Sequence, residues 1–252
     1  MDVNNAFIHG HLDEEMYMLP PEGYDKAARG LVCWLRKSLC GLKQAYRQWN
    51  IELTSKLEAY DFKQSPHDHY LFTLHSDSIF LALITYVDDV LFTGNSVDDL
   101  DKVKQYLDNL FTIKNLGHAK YFLSLELARS SHGTYISQRK YLLDIIHNCH
   151  LDDARAIGSP LPASVKYDSE FGPLLPSPYR YWRLVSGLLY LGFSRPNISF
   201  AVQQLSQFIQ HPRLPHWEVA LHLVRYLKAS STFGLFFPSG SSLQLRAFSD
   251  SD

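Results

Sequence analysis

The run Ile79-Phe-Leu-Ala-Leu-Ile-Thr-Tyr-Val-Asp-Asp-Val-Leu-Phe-Thr-Gly94 sets two adjacent carboxylates, Asp88 and Asp89, inside an otherwise apolar stretch. Its aromatic and β-branched residues, closed by the breaker pair Gly94-Asn95, predict strands over Ile79–Val87 and Val90–Phe92 joined as a hairpin. Neighbouring carboxylates repel one another, and burying them beside Val87 and Val90 costs several kcal/mol unless a cation or hydrogen bonds compensate. A divalent cation is the natural compensation: Mg²⁺ takes carboxylate oxygens octahedrally and keeps waters or substrate phosphates in its other positions. A solvated Asp-Asp turn, which aspartate favours in any case, needs no cation. Spacing alone leaves both readings open.

Working outward, Tyr46, Trp49, Leu53, Leu57 and Tyr60 recur at helical spacing before the hairpin, and Leu71–Leu74 reads as a further strand. After it, Ser96 and Asp99 form a capping-box-like start to a helix striped by Leu100, Val103, Leu107, Leu110 and Phe111. Tyr121–Ala128 and Thr134–Ser137 flank a turn cluster and predict a second hairpin, followed by a helix over Arg139–Cys149. Residues 158–178 hold five prolines and little periodicity, which places a connector and a domain boundary there. Helices are expected over Leu184–Phe193, Ile198–Ile209 and His216–Lys228, and strands over Phe233–Phe237 and Leu243–Phe248. The fold class is therefore α+β.

Composition narrows the function. With 252 residues, 46% hydrophobic and 20% charged, a packed core is expected, and one or two domains. The three cysteines, Cys33, Cys40 and Cys149, cannot form a dense disulfide framework and read as thiols. The opening Met-Asp-Val-Asn-Asn lacks the basic start of a signal peptide, and no apolar run approaches the ~18 residues of a membrane span. There is no Walker-type or Gly-x-Gly-x-x-Gly loop, so any phosphate chemistry uses another device. Residues 1–100 carry 8 Lys+Arg against 15 Asp+Glu, and residues 101–252 carry 16 against 11. That pattern suits a cation-binding centre joined to a polyanion-binding surface, and equally two unevenly charged solvated surfaces. Asp2, followed by Val3 and Ala6-Phe7-Ile8, is a third carboxylate in similar surroundings. Beside the hairpin it would complete a set able to hold two metals about 3.5–4 Å apart. His67-Asp68-His69 and His147-Asn-Cys-His150 lack the spaced pairs of a structural zinc site. Arg225 and Lys228, three apart on one helix, suit either a phosphate track or an ordinary solvated face.

Taken in order, Met1-Asp-Val-Asn-Asn-Ala-Phe-Ile-His-Gly10, Ser38-Leu-Cys-Gly-Leu-Lys-Gln-Ala45, Tyr86-Val-Asp-Asp89 and Tyr121-Phe-Leu-Ser-Leu-Glu126 resemble the motifs of reverse transcriptases of Ty1/copia-type long-terminal-repeat retrotransposons. The likeness continues through Tyr135–Tyr141, Arg195-Pro-Asn197, His216-Trp-Glu218 and Arg225-Tyr-Leu-Lys228, covering nearly the whole chain. The resemblance implies a palm, an antiparallel sheet packed on helices, followed by a mainly helical thumb or connection region. The implied divisions are palm with partial fingers over 1–128, hairpin and helix over 129–157, connector over 158–178, thumb-like helices over 179–240, and the start of a ribonuclease H domain over 241–252. It implies that Asp2, Asp88 and Asp89 are catalytic and hold two Mg²⁺ or Mn²⁺ ions. Val3, Phe7, Gly41, Lys43, Gln44 and Tyr86 would border the incoming nucleotide, with Phe7 excluding a 2′-hydroxyl. Phe122, Leu123, Ser124, Leu125 and Glu126 would grip the primer.

The implied reaction is RNA-directed DNA polymerisation within a retrotransposon polyprotein. Its partners would be an RNA or DNA template with primer, deoxynucleoside triphosphates and other Pol segments, in a cytoplasmic virus-like particle and without a membrane. The alternative is a catalytically inactive remnant that keeps the palm and at most binds nucleic acid; a host interaction module built on it is a third. The sequence departs from the family's pattern at Cys40, Tyr46 and Ser124, where tyrosine, proline and glycine are usual. The upstream fingers are expected to be missing, which would weaken nucleotide binding. Asp250 would match the first ribonuclease H carboxylate, with no ribonuclease H activity expected.

Overall fold

The computed structural model describes residues 1–24, 30–163, 170–242, 244 and 247–249. The chain forms two compact units, Met1–Ala119 and Lys120–Asp252.

The first unit is built on a six-stranded antiparallel sheet from β1 (Asp2–Val3), β4 (Lys63–Gln64), β5 (Leu71–His75), β6 (Phe80–Tyr86), β7 (Asp89–Gly94) and β8 (Ile113–Lys114). Their spatial order is β4-β5-β6-β7-β1-β8. A separate ribbon pairs β2 (His11–Met18) with β3 (Cys33–Lys37), and a short 3-10 helix over Ala6–His9 precedes it. Helices α1 (Ala45–Ala59) and α2 (Val97–Phe111) supply the apolar cover. Trp49, Leu53 and Leu57 of α1 and Val103, Leu107 and Phe111 of α2 are buried with Val3, Phe72, Leu81, Leu83 and Val90 in one core. The expected cap of α2 is present: the Ser96 side chain accepts from the Asp99 N–H and donates to its carboxylate.

The second unit holds a four-stranded antiparallel sheet, ordered β12-β11-β10-β9, from β9 (Tyr121–Phe122), β10 (Leu125–Ser130), β11 (Gly133–Ser137) and β12 (Leu235–Pro238). Helices α3 (Arg139–Asn148), α4 (Pro178–Leu191), α5 (Ser199–Ser206) and α6 (Leu214–Ala229) share the other core. Helix α4 buries Tyr181, Leu184, Val185, Leu188 and Leu191, a single stripe at helical period. The Arg195-Pro-Asn197 motif is structural here. The buried Arg195 guanidinium donates to both the carbonyl and the hydroxyl of Ser230, tying off the end of α6.

Several sequence expectations meet a different outcome. The two units divide between Ala119 and Lys120, whereas the connector read over 158–178 lies inside the second unit. The physical reason is strand pairing across some hundred residues: β12 docks on β11, which carries β10 and β9 with it. A Cβ at Gly133 would meet the Phe237 carbonyl at 2.2 Å, so this pairing needs glycine. Strands β2 and β3 escape the sequence reading because their charged, irregular pattern carries no clean alternation; the register between them shifts past His11. Half of the strand expected over 243–248, at positions 243, 245 and 246, falls outside the described residues, and Asp250 lies outside them as well.

Candidate active site

Position in the sheet is what brings the carboxylates together. Strand β1 is only two residues long, yet it lies between β7 and β8, and its register sets Asp2 directly opposite Asp89. Val3 N–H donates to the Asp88 carbonyl at 2.8 Å, and Met1 and Val90 exchange both backbone bonds at 2.8 and 2.9 Å. Asp2 and Asp89 are therefore the pair between these bonded neighbours, the kind whose side chains stand closest on a shared face. Alternation sends Val3 and Val90 to the core face, so both aspartates occupy the opposite face, half-buried, with Asp88 exposed on the turn. The same row continues to Tyr86 on one side and Lys114 on the other. Sequence reading passed over Lys114, and only the β1–β8 pairing reveals it.

The turn itself is strained. Val87 and Asp88 form a two-residue loop between the paired Tyr86 and Asp89, and Val87 holds φ 56°. That left-handed conformation costs a β-branched residue about 1–3 kcal/mol. Trp49, 1% exposed, donates its indole N–H to the Val87 carbonyl at 2.6 Å and packs edge-on against Phe111. Electrostatics tighten the picture. Burial, then the negative charges of Asp88 and Asp2, push the Asp89 carboxyl above its ordinary value, with the Met1 amine opposing them.

The like-charged carboxylates of Asp2 and Asp89, with Asp88 on the adjoining turn, are oxygen donors of the kind that suit a hard divalent ion such as Mg²⁺ or Mn²⁺. Among the described residues, no group of three or more His, Cys, Asp or Glu side chains is gathered closely enough to hold a metal ion. The fold supplies an aligned pair of carboxylates, with a third on the adjoining turn, rather than a closed cage.

The other expected nucleotide-bordering residues scatter over neighbouring elements. Phe7 is half-buried in the 3-10 helix, and its carbonyl accepts from the buried Ser38 hydroxyl. Val3 turns into the core and offers no exposed side chain. Gly41 holds φ 95°, which accounts for glycine there, and Lys43 beside it is exposed. Gln44 donates to the Met16 sulfur. Tyr46, where the family usually has proline, packs edge-on against Tyr70. Burial and the Tyr70 hydroxyl push its phenol above the usual range, with Tyr86 close enough to contribute. A tyrosine cluster so close to the aspartate row was not read from sequence, because its members are 24 and 16 positions apart.

Residues Phe122–Glu126 stand in the second unit, half-buried around the tight turn between β9 and β10. Leu123 and Ser124 both hold positive φ, 47° and 61°, and the Tyr190 hydroxyl donates to the Leu123 carbonyl. The Glu126 carboxylate accepts the Lys140 N–H at 2.7 Å and so caps the start of α3. Lys228 and Arg225 do not present a phosphate track. The Lys228 ammonium donates to the carbonyls of Leu151, Asp152 and Ala154, and Arg225 donates to that of Arg155. His67-Asp68-His69 forms a turn in which the Asp68 carboxylate accepts the Tyr70 N–H. Among the described residues no helix is long and apolar enough to cross a membrane.

Comparison with known proteins adds an independent line. The sequence profile of the reverse transcriptase (RNA-dependent DNA polymerase) family matches residues 1–163. Over its full length the chain is 38% identical to the retrovirus-related Pol polyprotein from transposon RE2 of Arabidopsis thaliana, of which it spans 17%. It is 33% identical, again over its full length, to that from transposon TNT 1-94 of Nicotiana tabacum, spanning 20%. It is 31% identical over 99% of its length to a putative transposon Ty5-1 protein of Saccharomyces cerevisiae, covering 82% of that protein. No solved structure matches the chain significantly.

Proposed function

Because the chain belongs to the reverse transcriptase family and resembles Ty1/copia-type Pol polyproteins along its whole length, we propose that it carries RNA-directed DNA polymerase chemistry on Asp2 and Asp89, paired across two strands, together with Asp88 on the adjoining turn. The observation that supports this most directly is register. The aspartate of the first motif and the last aspartate of Tyr86-Val-Asp-Asp89 lie on adjacent strands, Asp2 opposite Asp89, and Asp88 precedes Asp89 on the turn. The reaction is attack of a primer 3′-hydroxyl on the α-phosphate of a deoxynucleoside triphosphate, forming a phosphodiester and releasing pyrophosphate.

Asp2, Asp88 and Asp89 are the residues that would hold two Mg²⁺ or Mn²⁺ ions. When bound, these ions supply Lewis acidity toward the hydroxyl and charge neutralisation at the leaving group. The chain's own contribution is placement. Phe7 sits five residues after Asp2 to bear on the sugar and exclude a 2′-hydroxyl. Gly41, Lys43 and Gln44 border the template base and nucleotide, Val3 and Tyr86 flank the carboxylates, and Phe122–Glu126 hold the primer end. Template with primer and deoxynucleoside triphosphates are the partners, with other segments of the polyprotein alongside in a cytoplasmic particle.

Primer extension on an RNA template with Mg²⁺ or Mn²⁺ tests the proposal, beside an Asp88→Asn/Asp89→Asn control. The expected result is incorporation that disappears in the control. Incorporation that persists in the control would remove the carboxylates from the mechanism. No incorporation by the parent chain would assign it to the alternative reading, an inactive remnant that keeps the fold.

A further inference from the structure

Two hairpin turns of this chain adopt backbone conformations that their own residues disfavour, and both are met by the same device. In Tyr86–Asp89 the first turn residue is left-handed while Asp88 keeps negative φ, a pattern that favours glycine first; the chain has Val87. In Phe122–Leu125 both turn residues are left-handed, a pattern that favours Asn-Gly; the chain has Leu123-Ser124. Each turn receives one hydrogen bond from an aromatic side chain on a helix, aimed at the carbonyl of its first residue. The donors are the Trp49 indole N–H for Val87 and the Tyr190 hydroxyl for Leu123.

Both donors are locked in place. Trp49 is buried against Phe111, and Tyr190 is wedged edge-on between Tyr141 and Phe193. A carbonyl held from outside fixes its peptide plane, and with it ψ of its own residue and φ of the next, so each turn keeps its geometry without the glycine its pattern favours.

We propose that Trp49 and Tyr190 are positioning residues, whose polar hydrogens hold these two turns in the conformation that aims Asp88-Asp89 and Ser124-Leu125. The turn conformations stand on geometry alone, while their role in polymerisation rests on the function proposed above.

The test separates the two. Trp49→Phe and Tyr190→Phe keep the rings and remove only the donors, Val87→Gly removes the strain of the first turn, and Ser124→Gly relieves one of the two strained positions of the second. Backbone nuclear magnetic resonance of the full chain reads φ at Val87 and Leu123 through amide couplings and Cα shifts. In Trp49→Phe, Val87 is expected to leave the left-handed region and the Asp88 and Asp89 amides to shift. Adding Val87→Gly should return those two amides to their parent positions. Tyr190→Phe with and without Ser124→Gly should behave likewise at Leu125 and Glu126.

Unchanged couplings in the single variants would overturn the proposal. So would shifts that glycine fails to restore, or a single variant that unfolds and is not rescued by glycine. Broadening of the Asp88 and Asp89 amides by Mn²⁺ reads the carboxylate assignment separately. Binding about tenfold weaker in Trp49→Phe, recovered with Val87→Gly, is expected from the loss of one hydrogen bond. No broadening in the parent chain would sink the metal assignment and leave the turn result standing.

Discussion

Asp89 is the residue at which stability and proposed function oppose each other. Its carboxyl is half-buried and faces Asp2 across the strand pair, so burial and like charge raise its pKa in the folded chain. An acid with a raised folded pKa binds its proton more tightly when folded, so stability falls as pH climbs from the unfolded value through the folded one. The penalty is absent below the ordinary carboxylate range and complete above the folded pKa. Asp89→Asn should therefore raise the unfolding temperature at pH 7, by about 2–4 °C if it relieves about 1 kcal/mol. The gain should vanish near pH 3. Thermal melts at the two pH values check this, and an equal gain at both would mean that charge is not the cause. The identity of this residue was legible in the Tyr-Val-Asp-Asp run. Its like-charge opposition to Asp2 was not, because the two stand 87 positions apart.

At the scale of elements, α6 shows how a sequence pattern acquires its meaning from what packs on it. His222, Arg225 and Lys228 are spaced three apart, and each bonds to a backbone carbonyl of the segment Leu151–Ser159. The row is a strap holding the exit from α3 against α6, with Ile157 N–H returning a bond to the Arg225 carbonyl. A cation that satisfies three carbonyls is not available to phosphates. Lys228→Met is expected to speed amide exchange over residues 151–157 by about tenfold, the loss of roughly 1.4 kcal/mol of local protection. It should leave the salt dependence of nucleic-acid binding unchanged. A reduced salt slope without faster exchange would restore the phosphate reading.

Across the whole molecule, each compact unit carries its own core. Trp49, Phe72 and Leu83 lie in that of the first, Leu188, Val202 and Leu223 in that of the second. Leu188 is fully buried among α3, α4, α5 and α6 side chains. Truncating it removes transfer energy and leaves a cavity, so Leu188→Ala should cost the second unit about 2–5 kcal/mol. Amide exchange of α4 and α6 measures that loss, with α1 as the internal reference. A cost under about 1 kcal/mol would show that the helices collapse into the space.

The sequence by itself determined the α+β class, the central hairpin, the cap of α2, the apolar stripes of α1 and α2, and the candidate aspartates. These depend on local period, turn chemistry and ordered motifs, all written in neighbouring residues. Tertiary structure alone decided the rest. Asp2 faces Asp89 because β1 inserts between β7 and β8. Lys114 joins the row through β8, and the unit boundary falls at 119 because β12 reaches back to β11. Trp49 and Tyr190 look from the sequence like ordinary core aromatics. Their polar hydrogens acquire a role only when folding sets a strained carbonyl within bonding distance of each. Non-local pairing is chosen by the total of buried area and satisfied backbone bonds over the fold, and no window of sequence contains that total.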